Sequence, residues 1–402
     1  MSEKSTGKPY SIFWIMLLAL FTSLGPLSID MYLPALPQMA TDFQVSTLQM
    51  ANTLPAYFMG LAIGQLIYGP ISDRIGRKKP LYFGMALYAV ASLLCILAPD
   101  HWSLIAARIL QALGGCVGVV MARAAIRDCL DVQSSAQAFA QMMIVMGVAP
   151  IMAPVIGAVM LQYFEWQSIF ILLSIIGLIC LLCVHFFFEE TLKVENRLKL
   201  NFKQVLILYS NILQDKSFRL PMLAGCLSGA SLFCYISSAS AVFMDGYGLS
   251  QQQFAFAFAL NAMGIILISA CNKRLANQFN VFQRLKIGGL IQVSGAIILL
   301  IAGFLSIAPM ALVMLGMFLA VSGIGFTGPN AMAIAMAQQG ARAGTASAIM
   351  GSAQFACGLV GGVILNFLLW GALLNMALLM MLFTLTGLIA VFAVEKQLKL
   401  AV

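Results

Sequence analysis

Charge is what this sequence has least of. Charged residues make up 9% of its 402 positions, and hydrophobic residues make up 61%. A soluble domain carries roughly 25% charged and roughly 45–50% apolar residues. No soluble fold of this length can bury so much apolar surface, so lipid must be part of the solvent. Histidine is almost missing too. His101 and His185 are the only two, and neither has a neighbouring nucleophile or metal-ligand cluster, which argues against an enzyme, a metal site or any catalytic residue. There is no P-loop, so ATP-driven pumping is excluded. No cofactor is expected. The net charge of +8 would suit nucleic acid. The basic residues form no single patch, however, and sit in short loops between apolar runs, so nucleic acid is set aside as a partner. The nine cysteines lie in or at the ends of apolar segments. Cys180 and Cys183 have C-x-x-C spacing but no second pair, and read as packed or lipid-facing residues.

What is present is a series of apolar runs, each near the roughly 20 residues that span a bilayer. They cover 11–34, 46–70, 79–98, 102–126, 136–160, 166–188, 219–243, 252–271, 286–306, 309–336, 343–365 and 370–394. Lys4 and Lys8 before the first run resemble a signal peptide. Removing that run would leave an odd helix count and spoil the charge pattern. Every Lys and Arg except Arg108 falls at the chain ends, in the central stretch or in alternate connections. The other connections hold Asp42, Asp100, His101, Glu165 and Asp245. By the positive-inside rule both termini and the central loop are cytoplasmic. The expected fold is all-α membrane, with twelve helices in two parallel six-helix pseudo-repeats around a central cavity. The halves are 1–188 and 219–402, with a cytoplasmic loop at 189–218.

A shift of 204 residues lays the second half on the first. Gly147 and Gly157 then meet Gly351 and Gly361, and Gly84 meets Gly288. Asp73-Arg74-Ile75-Gly76 meets the uncharged Asn277-Gln278-Phe279-Asn280. Such repeats rock about a site near the membrane midplane.

Two charges lie inside apolar runs. Arg108, in Arg108-Ile-Leu-Gln111-Ala-Leu-Gly114-Gly115, costs roughly 2.5–3.5 kcal/mol on the insertion scale and should face a wet cavity, an acidic partner or a polar clamp. The obvious partner is Asp30, on a helical face with Thr22, Ser23 and Pro26. Desolvation penalises an ionised carboxylate there, so Asp30 can load and release a proton. Under the repeat shift Asp30 meets Cys234 and Arg108 meets Leu312, which confines proton chemistry to the first half. Gly147, Pro150, Pro154 and Gly157 form a small, kinking face on helix 5. In the loop after helix 2, glycines permit a tight turn, and Asp73 could cap the N-terminus of a neighbouring helix.

That loop, Gly69-Pro70-Ile71-Ser72-Asp73-Arg74-Ile75-Gly76-Arg77-Lys78-Lys79, resembles the signature of the major facilitator superfamily. The resemblance implies a latch at Gly69, Asp73, Arg74, Gly76 and Arg77 that stabilises one orientation of the halves. It also implies proton coupling through the helix-4 pattern at Arg108. The helix-5 segment resembles the antiporter motif of drug exporters, although Ala158 follows Gly157 where that motif has a second glycine. Asp30-Met-Tyr-Leu-Pro-Ala-Leu-Pro37, Arg123-Ala-Ala-Ile-Arg127-Asp128, Pro329-Asn330-Ala331-Met332 and Gly344-Thr-Ala-Ser-Ala348 look like the Bcr/CflA drug–proton antiporters. The resemblance implies a monomeric, antibiotic-resistance type exporter of small amphipathic drugs in a bacterial inner membrane. A proton-coupled metabolite or sugar carrier, or a non-transporting sensor, are the rivals. Tyr57, Gln111, Tyr235, Asn261, Asn330 and Gln354 are the polar candidates for the substrate cavity, and Met and Phe supply adaptable apolar surface.

Overall fold

The computed structural model describes residues 11–197, 202–305 and 307–399. Among the described residues, twelve helices are long and apolar enough to cross a membrane. The first half holds α1 (Ile12–Asp42), α2 (Thr47–Ile75), α3 (Lys78–Ile96), α4 (His101–Cys129), α5 (Gln137–Met160) and α6 (Gln167–Phe187). The second holds α7 (Lys216–Gly246), α8 (Gln251–Asn277), α9 (Val281–Phe304), α10 (Met310–Met336), α11 (Ala343–Leu365) and α12 (Ala372–Glu395).

Helix pairing states the repeat directly. In the first half α1 packs on α4 and α5, α2 on α4, and α3 on α4 and α6. In the second, α7 packs on α10 and α11, α8 on α10, and α9 on α10 and α12. Each pair is its counterpart moved on by six helices. The halves meet along α2–α11 and α5–α8, two contacts that the same exchange turns into one another. The helices left on the outside turn apolar faces outward, among them Leu178 and Leu182 of α6 and Ile297 and Ile301 of α9. Such exposed aliphatic rows are stable only against lipid.

Several spans depart from a continuous α-helix, among them α2, which pauses over 51–52 between Thr47–Met50 and Thr53–Ile75. α1 runs as α-helix to Asp30, makes a 3₁₀ turn over Leu33–Ala35, and resumes as Leu36–Asp42. The expected run ended at 34; Pro34 does not end the span, because Pro37 sits in the first turn of the new segment, where its missing N–H costs nothing. α7 finishes in a π-turn, Ala241–Gly246. α10 is interrupted at Gly323, between Met310–Ser322 and Ile324–Met336.

The central stretch, expected as loop, contains a connector helix, Phe202–Gln214. Val205, Leu208, Tyr209 and Ile212 recur at helical spacing and pack inward, while Leu206 and Ile207 face out. Interspersed polar residues dilute this segment below a spanning run, which hid it.

Candidate functional site

A cavity of about 740 Å³ lies between the halves at the face that carries the basic residues. It is lined by Thr22 of α1, Gln65, Gly69 and Asp73 of α2, Arg123 and Arg127 of α4, and Met142, Met143 and Met146 of α5. Met332 and Met336 of α10, the start of α11, and Val205, Leu208 and Tyr209 of the connector helix complete it. Beyond it the halves close. Phe58, Phe233 and Phe355, from α2, α7 and α11, meet at ring separations of 4.5, 5.5 and 6.3 Å. Phe58 and Phe355 each lie about two turns past a cavity residue of the same helix, Gln65 and Ala348. At the acidic face Ser240 Oγ donates to the Leu33 carbonyl at 2.6 Å, and Asn366 donates to Asn52. The protein is open to its basic face and shut at the other.

The signature loop borders this opening. Arg77 Nη1 donates to Asp73 Oδ1 at 2.6 Å and to Ser72 Oγ at 2.7 Å, and Arg77 Nε donates to Asp128 Oδ2 at 2.8 Å. Desolvation works against the buried guanidinium, but the hydrogen bonds and charges of Asp128 and Asp73 outweigh it and hold its pKa above the ordinary arginine value. Asp73 does not cap a helix. That role belongs to Glu190, just past α6, whose two carboxylate oxygens accept the backbone N–H of Arg77 at 2.8 Å and of Lys78 at 3.2 Å at the start of α3. Gly76 has φ +96°, and a Cβ there would stand 2.2 Å from Glu190 Oε2, so both its backbone and its neighbour demand glycine. Gly69 and Asp73 line the cavity, and Arg74 ends α2 without entering the network.

Arg108 is fully buried. Its guanidinium lies 4.4 Å from the ring centroids of both Tyr32 and Tyr57, donates to Gln111 Oε1, and reaches the Ser28 carbonyl at 2.8 Å. Gln111 is held in turn by Ser92 Oγ at 2.8 Å, and Ser28 Oγ shares a 2.6 Å hydrogen bond with Tyr88. This is a cation cage, and Asp30 is not in it. Ser28 points its side chain toward α3, and two residues on, about 200° round the helix, Asp30 points the other way. Asp30 is 4% exposed, and its Oδ1 has no hydrogen-bond partner. Tyr235 of α7, whose hydroxyl accepts from Asn261 Nδ2 at 3.0 Å, lies within electrostatic range of Asp30. The expected Asp30–Arg108 pair is therefore replaced by two separate sites: Arg108 is locked within the first half, and Asp30 faces the second. Thr22, on Asp30's helical face, lines the cavity about 12 Å away along α1.

Gly157 of α5 receives the break in α1, because a Cβ there would lie 1.9 Å from the Met31 carbonyl. Pro150 and Pro154 lie within the continuous helix, and Gly147 faces Ile266 of α8 in the other half.

None of the six polar cavity candidates lines the cavity. Tyr57 and Gln111 belong to the Arg108 cage, Tyr235 and Asn261 to the Asp30 neighbourhood, and Gln354 packs against Gly229. Asn330 donates to Asn272 Oδ1 at 3.0 Å, and the same oxygen accepts from Arg284 at 2.9 Å. That knot of α8, α9 and α10 is the second-half counterpart of Asp73, Arg77 and Asp128, built away from the matched Asn277–Asn280 stretch. Glu190 was missed; Arg123 stood in the quoted Arg123–Asp128 motif and methionine was named only as general adaptable surface, neither as a residue of this cavity.

Two six-helix halves around a cavity open at one face, with ionisable groups sealed beyond it, fit a membrane transport protein. The profile of the Major Facilitator Superfamily matches residues 17–364, and the chain belongs to that family. An uncharacterised transporter of this type from Bacillus subtilis is 34% identical over 87% of each chain. A bicyclomycin resistance protein homolog from Haemophilus influenzae is 30% identical, covering 90% of this chain and 89% of its own. A multidrug resistance protein, MdtL, from Escherichia coli is 28% identical over 83% of each. Among solved structures, a bacterial homolog of the lysosomal transporter Spinster, inward-facing and occupied, superposes with a TM-score of 0.71 over 97% of each chain at 15% identity. A D-xylose–proton symporter gives 0.72 at 15% identity, covering 94% of this chain and 97% of its own. At these identities the structures speak for the fold alone.

Proposed function

We propose that this chain is a proton-coupled multidrug antiporter that exports small amphipathic drugs across a bacterial inner membrane. The observation that carries the reading is Asp30, a carboxylate sealed in the membrane with an unpartnered oxygen, facing the opposite half beyond the end of an open cavity. The names of the relatives that resist bicyclomycin and multiple drugs support the substrate class. The basic face is cytoplasmic by the positive-inside rule, so drug enters the cavity from the cytoplasm while Asp30 is shielded from it. Rocking the halves opens the α1 break and brings Asp30 to the outside, where a proton loads it. Bringing that proton in releases about 2.3 kcal/mol per 100 mV of membrane potential. Arg108 keeps α1, α2, α3 and α4 together as one rocking body.

The test is drug-dependent proton release from detergent-solubilised protein, with exchange followed in proteoliposomes. Asp30→Asn should abolish proton release and drug–proton exchange while drug still binds. Normal exchange in Asp30→Asn overturns the mechanism.

A further inference from the structure

The charges of the cavity do not balance. Four arginines (Arg77, Arg123, Arg127 and Arg342) and two aspartates line it. Both aspartates are committed to Arg77. Arg123, Arg127 and Arg342 make no ion pair among the described residues. Arg342 is exposed at the rim, and Arg127 hydrogen-bonds the Arg123 carbonyl at 3.3 Å while its guanidinium lies over Gly344. Arg123 lies one turn deeper along α4 than Arg127, and its hydrogen bond to a side chain among the described residues is a long one, 3.5 Å to Ser347 Oγ. Met142, Met146, Met332 and Met336 line the same cavity. A half-buried guanidinium has five donors to satisfy, and methionine walls adapt to many apolar shapes.

We propose that this cavity selects amphipathic anions, with the acidic head on Arg123 and the apolar body among the methionines of α5 and α10. The inference deepens the export reading and rests on it for the direction of travel, but the binding it states needs no transport. The head group is a carboxylate, sulfonate or phosphate; a cation meets the unbalanced arginines and is repelled. A soluble anion and the head group of an anionic lipid share this chemistry.

The experiment measures equilibrium binding of two fluorescent probes to the full chain in phosphatidylcholine discs, with empty discs subtracted. Anilinonaphthalene sulfonate and phenylnaphthylamine share one apolar body and differ by the sulfonate. The sulfonate should bind about tenfold tighter, the worth of a hydrogen bond to a charged group. Arg123→Gln should remove that preference and leave phenylnaphthylamine unchanged, and Arg123→Lys should keep most of it. If Arg123→Gln does not fold, the preference of the unaltered protein and its retention in Arg123→Lys decide alone. In discs mixed equally with phosphatidylglycerol, unchanged affinity identifies a soluble anion as the occupant and competition identifies a lipid head group; both uphold the site. Equal affinity for the two probes, or a sulfonate preference that survives Arg123→Gln, overturns it. No proton gradient enters, so failure here leaves drug–proton exchange standing, and failure of exchange leaves the anion site standing.

Discussion

The Tyr209 hydroxyl donates to the Leu66 carbonyl at 2.8 Å, the carbonyl that Pro70, four residues on, leaves without its helical donor. The connector helix is thus pinned to α2 one turn before Pro70, where it walls the cavity. Tyr209→Phe leaves a buried carbonyl unsatisfied, at a cost of about 1–3 kcal/mol. Faster proteolysis of the central stretch and a lower unfolding temperature should follow. Burial, helped by the charge of Asp73, pushes the Tyr209 phenol up to about 12. The neutral donor's contribution is complete below the unfolded value of about 10 and is lost only as pH rises through the folded one. Protease sensitivity of the unaltered protein should therefore be flat between about pH 5 and about pH 9, and a step within that window would remove Tyr209 as the pin.

The loop between α2 and α3 should rank its own variants. Asp128 is 17% exposed and Asp73 41%, so screening weakens the Asp73 pair more. Asp128→Asn should lower the unfolding temperature more than Asp73→Asn. Gly76→Ala should lower it further, because it adds left-handed strain to a collision with Glu190, about 1–2 kcal/mol or more. A thiol-reactive dye reads this directly, since buried cysteines such as Cys95, Cys116 and Cys180 appear on unfolding. Equal melting of the two Asn variants would contradict the ranking.

How much of this was legible in the chain divides by range. The twelve spans and their repeat follow from apolar length and the placement of Lys and Arg, which are local properties. The signature-loop residues were legible as a motif, yet Glu190 was not, because its partners Arg77 and Lys78 lie more than a hundred positions away. The two membrane charges were found, but their pairing was misread. Opposite charge suggested contact, whereas the 100° turn per residue sets Ser28 and Asp30 on opposite faces of α1. The cavity wall escaped for the same reason: which methionines face inward is decided by how α5 and α10 pack, and their apolar sequence looks alike on every side.

Arg108 should tolerate little. Its cage uses two tyrosine faces and a forked pair of donors to Gln111 and Ser28, a geometry lysine cannot copy. Arg108→Lys should abolish transport while the protein still reaches the membrane. Tyr57→Leu removes one ring, worth about 0.5–2 kcal/mol of cation–π attraction, and should melt earlier while keeping partial transport. Full transport in Arg108→Lys would show that charge alone suffices and that the cage is incidental.

Gly157 links the helix-5 motif to the Asp30 site. The Met31 carbonyl, one residue past Asp30, lies where a Cβ at 157 would stand, with 1.9 Å between them. Any side chain there must push the α1 break away from α5, and overpacking of this kind costs about 1–3 kcal/mol. That break also supplies the Leu33 carbonyl that Ser240 holds at the closed face, so the strain falls on the state described here rather than on one open at that face. Gly157→Ala should shift the population toward opening. Spin labels at Thr41 and Asp245, both exposed at the acidic face on opposite halves, should then show a longer distance in a larger fraction of molecules. The same substitution should make exchange less dependent on the proton gradient, because the closed state that shields Asp30 is weakened. An unchanged distance distribution would mean that α1 yields locally, and the glycine would then serve packing alone.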